Sequence, residues 1–398
     1  MGRIKSLLMD AEENGFSFMS KGEKYACPNH FEDQYLIKTL RKKEEDGVCS
    51  YCGVHGKVVD LSYIANHIAF VLSQYYDNPD REDLPLAGTF FDDNNEVIPG
   101  IKRVGAYAAP SEAEDYEDTQ EMMDDNGCLT DNEELNNDLI NVFYDQQWIK
   151  KDAFEPWKDD RLSMQWKSFS EAVKHTCRYT FLANGSEKSD SGPLSEILYS
   201  LGEIISSNDI FKLLNEDTVL YRARGLKPSD KDTGKFDEIT SPPDKVAGQC
   251  RMSPAGVSMF YAAFDKDTIL KECIHSEEDD RFMIGAFHPI RPLRVLDLTS
   301  LPIPSIWMTG WEGVSFLHSF HKDITQPLSD KDRADVDYIP SQVFTEYLRL
   351  MFKDKDDNKI DGLIYNSSKV GSKNIVLFYN QEQSHNVVKL ISSEIIPK

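Results

Sequence analysis

An α+β fold in two parts is the architecture this sequence predicts, and three observations carry it. Helical periodicity marks the N-terminal half, short β-branched and aromatic runs fill the chain from about residue 215, and a Cys/His quartet near the N-terminus has metal-ligand spacing. The expected division is a mostly helical part over 1–210 and a β-rich part over 211–398.

The 398 residues carry 44 Lys+Arg against 68 Asp+Glu, a formal net charge of −24. A field of that sign opposes DNA and RNA, so nucleic acid is a disfavoured partner and any anionic ligand must meet a local cluster of cations. With 40% hydrophobic and 11% aromatic residues the chain can fill real cores. No apolar run approaches the roughly 20 residues that span a bilayer, and "MGRIKSLLMDAEENG" lacks the apolar stretch of a signal peptide. No membrane partner and a cytoplasmic location are therefore expected. Seven cysteines, an odd number in a long acidic chain, do not suggest a disulfide framework.

The first element is a metal module over about 24–56. "CPNHF" at 27–31 and "CSYCG" at 49–53 form C-x2-H-x18-C-x2-C. Two-residue spacing lets one turn bring both members of a pair to a tetrahedral ion, and three thiolates with one imidazole suit structural Zn2+. The expected ligands are Cys27, His30, Cys49 and Cys52, with His55 as a substitute for His30. A site closed by protein groups staples a fold and does not catalyse.

Next, "LSYIANHIAFVLSQYY" sets Leu61, Ile64, Ala65, Ile68, Leu72 and Tyr75 at helical spacing, with His67 read as a surface or packed residue. The acidic stretch over about 111–138, including "SEAEDYEDTQEMMDD", reads as a solvated loop or linker. Helices return in "NDLINVFYDQQWI", in "WKSFSEAVKHTCRYTFL", where Trp166, Phe169, Val173 and Cys177 share a face, and in "LSEILYSLGEII".

The β-rich half reads "TVLYRA", "VSMFYAAF", "RFMIGAFH", "LRVLDL", "DGLIY", "NIVLFY" and "NVVKLI" as strands, with helices over 266–275, 309–319 and 341–352. Short strands with irregular helical insertions indicate a bent or two-layered sheet. Usable P-loop, esterase-elbow and Rossmann patterns are absent, and the N-terminal half lacks the R-x4-6-H signature of HEPN ribonucleases.

Four blocks of this half, "LYRARG" (220–225), "RMSPAGVSMFYAAFDKDTILKE" (251–272), "DYIPSQVFTEYLR" (337–349) and "DGLIYNSSKVGSKNIVLF" (361–378), resemble the RES family in that order, over roughly 215–395. The N-terminal half resembles the zinc-containing, HEPN-related helical domain fused in front of RES domains. The resemblance implies an ADP-ribosyltransferase-like fold with a mixed bent sheet and an enzyme that degrades NAD+. Such an enzyme is an NAD+ phosphorylase or glycohydrolase, with phosphate or water as acceptor, and is often the toxin of a toxin–antitoxin pair. It also implies a cognate antitoxin or regulatory protein as partner, and leaves a homo-oligomer open.

Residue by residue, Arg222 matches the family arginine, Glu272 the glutamate and Ser367 the serine, with Ser368 beside it. Nicotinamide leaves NAD+ as a neutral base from a cationic group, so the reaction needs positioning and stabilisation of an oxocarbenium-like ribose. A guanidinium at Arg222 grips pyrophosphate bidentately, Tyr261 offers a ring or hydroxyl to the nicotinamide riboside, and Glu272 holds ribose hydroxyls and developing positive charge. Arg224 and Arg251 are alternative or additional phosphate-gripping groups, and Lys369 and Lys373 are weaker candidates for the acceptor phosphate. His318 and His321 read as surface histidines. Two other readings stand beside this one: an interaction protein with an inactive RES domain, and an ADP-ribosyltransferase acting on a macromolecule.

Overall fold

A computed structural model describes residues 9, 11–12, 15–20, 22, 24–78, 116–143, 146–151, 158–179, 195–230, 234–273, 278–327, 333–369 and 371–398. The chain forms two compact units, Met1–Lys158 with Pro304–Glu312, and Asp159–Ile303 with Gly313–Lys398. The first boundary thus precedes residue 210. Leu162, Trp166, Phe169, Ile197 and Leu201 bury in the same core as the strands of the C-terminal half, and this draws their helices into the second unit.

In the first unit β1 (Tyr25–Ala26), β2 (Glu45–Val48) and β3 (His55–Asp60) form an antiparallel sheet in the order β1-β3-β2. Helix α1 (Gln34–Leu40) is capped by Asp33, whose Oδ1 accepts the N–H groups of Tyr35 and Leu36. Helix α2 (Leu61–Leu72) is capped by Asp60 and buries Leu61, Ile64, Ala65, Ile68 and Leu72 as its periodicity predicts. His67 lies on α2, packed between Tyr63 and Trp307 at centroid distances of 6.3 and 5.8 Å. Residues Pro304–Glu312 bury Trp307 in this core, Ser305 Oγ donates to Asp33 Oδ2 at 2.8 Å, and Trp311 Nε1 donates to the Tyr75 hydroxyl at 2.9 Å.

The acidic segment is not a solvated loop where it is described. β4 (Tyr76–Asp77), β5 (Tyr116–Glu117) and β6 (Trp148–Lys150) form a second small sheet, and α3 (Thr119–Asp125) and α4 (Glu133–Ile140) follow β5. Acidic residues here start helices: Asp118 and Glu121 make a reciprocal capping box, and the buried Met122, Met123, Leu135 and Leu139 supply the apolar face. Residues 111–115 of that expectation lie outside the described residues. The helix expected over 137–149 ends at Ile140, since Trp148 and Ile149 pair in β6.

The second unit holds an eight-stranded mixed sheet. Its strands are β7 (Phe211–Leu214), β8 (Leu220–Leu226), β9 (Phe260–Ala263), β10 (Arg281–Pro289), β11 (Leu293–Asp297), β12 (Gly362–Asn366), β13 (Lys373–Leu377) and β14 (Val388–Pro397). The order is β14-β10-β8-β9-β13-β12-β11-β7, antiparallel throughout except β11 with β12. Alternate residues serve the two faces. Tyr261, Leu296, Leu363, Tyr365 and Val376 pack with α5 (Lys158–His175), α6 (Glu196–Ser207), α9 (Trp311–Thr325) and α11 (Ile339–Leu350). Phe260, Ala262, Val295, Ile364, Ile375 and Leu377 fill the opposite face. The unit also holds the shorter helices α7 (Phe236–Ile239), α8 (Lys266–Cys273), α10 (Ala334–Asp337) and α12 (Gln381–Ser384). Among the described residues no helix is long and apolar enough to cross a membrane.

Candidate active site and metal centre

Glu272 is delivered by a strand-to-helix turn. β9 ends at Ala263, and Asp265 starts α8 by accepting the Thr268 N–H and hydroxyl at 2.8 Å each. Glu272 sits on the last turn of α8. Its Oε1 accepts Ser367 Oγ at 2.5 Å and Asn374 Nδ2 at 3.0 Å, while Lys369 Nζ lies 3.9 Å from Oε2. Lys369 Nζ also donates to the carbonyls of Lys271 and Glu272 at 2.7 and 3.3 Å, a cation on the exposed carbonyls of a helix end.

Ser367 leads the turn between β12 and β13. Its N–H donates to Ser372 O, Gly371 N–H donates to Ser367 O, and Gly371 adopts φ +71°, a conformation that costs glycine little. The Ser367 side chain is buried and also accepts the Lys369 N–H at 3.2 Å.

Arg222 occupies the place where the sheet opens. β8 and β9 share one bridging pair, Tyr221 with Ala263, and beyond it the Arg222 guanidinium spans the gap. Its Nη1 donates to Tyr261 O at 2.7 Å and its Nε to Thr240 O at 3.1 Å. Burial lowers its pKa from the ordinary value, with Cys273, Cys250 and the Tyr261 hydroxyl working in the opposite direction.

Arg251 is the second such cation. It lies 4.7 Å over the Tyr338 ring and donates to Ile324 O at 3.0 Å and Ser368 Oγ at 3.4 Å. Neither Arg222 nor Arg251 has a carboxylate partner among the described residues, whereas Arg281, Arg291 and Arg294 each pair with one. Tyr261 on β9 and Tyr365 on β12 lie on the two strands that flank β13. Burial pushes both phenols up, and Tyr365 feels Glu272, Cys250, Arg251 and Tyr338 together. The Tyr261 hydroxyl is already engaged, at 2.9 Å from Ser253 Oγ, and its ring packs against the helix-covered core.

The loop carrying Arg251 is held by one face of α11. Ser341 Oγ donates to Arg251 O at 2.6 Å, Gln342 Nε2 donates to Cys250 O at 2.9 Å, and Thr345 Oγ1 reaches Met252 Sδ at 3.4 Å. These residues and Asn374 were missed as site residues by sequence reasoning. Their signal is polar side chains on positions that the apolar period assigns to a core.

Other candidates stand apart from this arrangement. The Arg224 guanidinium is exposed and donates to Glu238 O at 3.0 Å. Lys373 Nζ donates to Ser300 Oγ at 3.0 Å and lies 3.8 Å from Asp297. His318 is exposed on α9, and His321 is half-buried there, its Nε2 accepting the Asn366 N–H of β12 at 3.4 Å.

In the first unit the quartet Cys27, His30, Cys49 and Cys52 converges, with all four ligand atoms within 4.8 Å of one another. Cys27 Sγ and Cys52 Sγ are 3.7 Å apart, and His30 Nε2 is 3.3 Å from Cys49 Sγ. A tetrahedral ion with zinc–sulfur bonds of about 2.3 Å spaces its sulfurs roughly 3.8 Å apart. The donor chemistry fits as well. Burial raises the Cys49 thiol, but N–H groups of Cys52, Tyr51 and Cys27 and the His30 ring outweigh it and lower it to about 6. Burial, with Cys52 and the Cys49 charge, pushes Cys27 up to about 12. Crowded thiols of this kind ionise together only with a cation between them. His55 lies on β3 and is not in the quartet.

The family model of the RES domain matches residues 219–395, and that of HEPN/RES N-terminal domain 1 matches residues 42–187. The chain belongs to the RES family. It carries a HEPN/RES N-terminal domain, and the RES family is associated with NAD-processing enzymes. No curated protein and no solved structure matches the chain. Arg222, Arg251, Tyr261, Glu272, Ser367 and Asn374 all fall inside the RES domain. The cysteine quartet straddles the start of the HEPN/RES match, with Cys49 and Cys52 inside it and Cys27 and His30 ahead of it.

Proposed function

We propose that the RES domain of this chain cleaves the bond between nicotinamide and ribose in NAD+, with phosphate or water as acceptor. The observation that carries the reading is a carboxylate, Glu272, fixed by Ser367 and Asn374, in a domain whose Arg222 and Arg251 guanidinium groups lack carboxylate partners among the described residues. In an acidic chain such cations suit the pyrophosphate of a dinucleotide.

Glu272 Oε2 faces the charge that develops on the ribose as nicotinamide departs, and the pre-placed carboxylate needs no reorganisation at that moment. Tyr261 presents its ring to the nicotinamide riboside. Lys369, beside Glu272, favours an anionic or polarised acceptor on that side. NAD+ and phosphate give ADP-ribose 1″-phosphate and nicotinamide; NAD+ and water give ADP-ribose, nicotinamide and a proton. An enzyme of this kind acts as a toxin or defence effector held by a partner protein.

The metal quartet has a separate, structural role in this reading. Cys27, His30, Cys49 and Cys52 hold one Zn2+ and tie the segment before α1 to the β2–β3 turn.

Incubating the purified chain with NAD+, with and without phosphate, and following it by 31P NMR tests the reading. A new sugar-phosphate resonance that requires phosphate means phosphorolysis, and ADP-ribose means hydrolysis. ADP-ribose attached to protein means transfer. Intact NAD+ under every condition contradicts the reading and favours an interaction protein.

A further inference from the structure

We propose that Asn374 is a positioning residue that decides which oxygen of Glu272 meets the substrate. The inference rests on the NAD+-cleavage reading and extends it to a residue that reading does not need for binding.

Asn374 lies on β13, whose two neighbours carry the chain into the site. It pairs with Ala263 of β9, the last strand residue before α8, and with Tyr365 of β12, two residues before Ser367. A side chain held in two ladders is placed more firmly than one on a loop. At 5% exposure it is also shut away from solvent.

Its carboxamide is used on one side only. Nδ2 donates to Glu272 Oε1 at 3.0 Å, while Oδ1 is buried with no hydrogen-bond partner among the described residues. The reverse orientation would set Oδ1 against the carboxylate, so attraction to Glu272 fixes the amide this way round. A bare buried acceptor is unfavourable, and an apolar residue would pack this strand position without that penalty. The arrangement makes sense when the bond to Glu272 is what the position is for.

That bond has a directional result. Ser367 Oγ and Asn374 Nδ2 both address Oε1, and among the described residues Oε2 meets only the more distant Lys369 Nζ at 3.9 Å. With Oε1 occupied twice, the carboxylate cannot rotate freely, and Oε2 is the oxygen left with open lone pairs. Asn374 thus acts through Glu272 and touches no substrate atom.

The test compares full-length wild type, Asn374→Asp, Glu272→Gln and the double variant, following release of radiolabelled nicotinamide from NAD+ to reach slow rates. Asn374→Asp keeps the shape, removes the donor and adds a like charge. It is expected to lower kcat at least about thirtyfold with KM for NAD+ within about threefold. In the Glu272→Gln background the same change is expected to cost no more than about twofold, since the partner it acts through is gone. If Asn374→Asp fails to fold, Asn374→Ser and Asn374→Ala replace it. The serine keeps a donor and should retain at least about fivefold more kcat than the alanine. Losses that add fully to Glu272→Gln, a loss confined to KM, or equal serine and alanine variants overturn the inference while leaving the NAD+ reading intact. A wild type that releases no nicotinamide overturns both.

Discussion

Ser367 Oγ donates to Glu272 Oε1 at 2.5 Å, joining the β12–β13 turn to the last turn of a helix 95 residues earlier in the chain. The contact links Ser367 and Glu272 as one unit, with the serine hydroxyl held on the acid. Ser367→Ala leaves Glu272 with Asn374 alone on Oε1 and is expected to lower kcat for nicotinamide release by about tenfold to a hundredfold, with a smaller change in KM. Steady-state kinetics on the folded variant check this, and wild-type kcat would show that the bond is incidental.

Arg222 spans two backbone carbonyls and keeps a further guanidinium edge, which an ammonium cannot reproduce. Arg222→Lys is therefore expected to lower kcat/KM for NAD+ at least about tenfold, even though the charge is kept. It is also expected to reduce the melting temperature by a few degrees, since Tyr261 O or Thr240 O loses its donor. Unchanged values of both would remove Arg222 from the site and from the sheet opening.

The cysteine quartet predicts metal content. Protein purified without chelator is expected to carry about one zinc per chain by elemental analysis, and Cys49→Ser to lose it together with several degrees of melting temperature. Metal-free protein whose melting curve is unmoved by Cys49→Ser would contradict this assignment.

His67 predicts a pH dependence. Burial between Tyr63 and Trp307, with Lys42 nearby, holds its pKa below the ordinary 6.5. The unfolded chain then binds more protons just below that value, so folding stability falls as the pH drops through about 6.5. His67→Phe removes this contribution and a buried Nε2 that lacks a partner among the described residues. The variant is expected to melt at or above the wild-type temperature, and the gap should widen between about pH 7 and about pH 5. Parallel melting curves for the two proteins across that range would contradict it.

Much of the second unit was legible because its strands bury both faces. Runs such as "RFMIGAFH" and "NIVLFY" are apolar at nearly every position, and the full burial of Phe287 and Val376 follows from that pattern. β7 escaped because "FKLL" leaves Lys212 and Leu213 exposed and reads as neither period. The acidic segment misled because carboxylates that start helices look, in composition alone, like those of a solvated loop. Cys27, His30, Cys49 and Cys52 were readable from local spacing. Gln342 and Asn374 were not, since their partners Cys250 and Glu272 lie 92 and 102 residues away. Only the register of the sheet and the seat of α11 bring them together.

In the proposed reaction Glu272 serves the departure of nicotinamide from NAD+. The most direct test is free nicotinamide measured by liquid chromatography from wild type and Glu272→Gln at equal concentration, each shown to be folded by its melting curve. Multiple turnovers are expected for the wild type, and a rate lower by about a hundredfold or more for the variant. Equal nicotinamide release by both folded proteins, or none by the wild type, would contradict it.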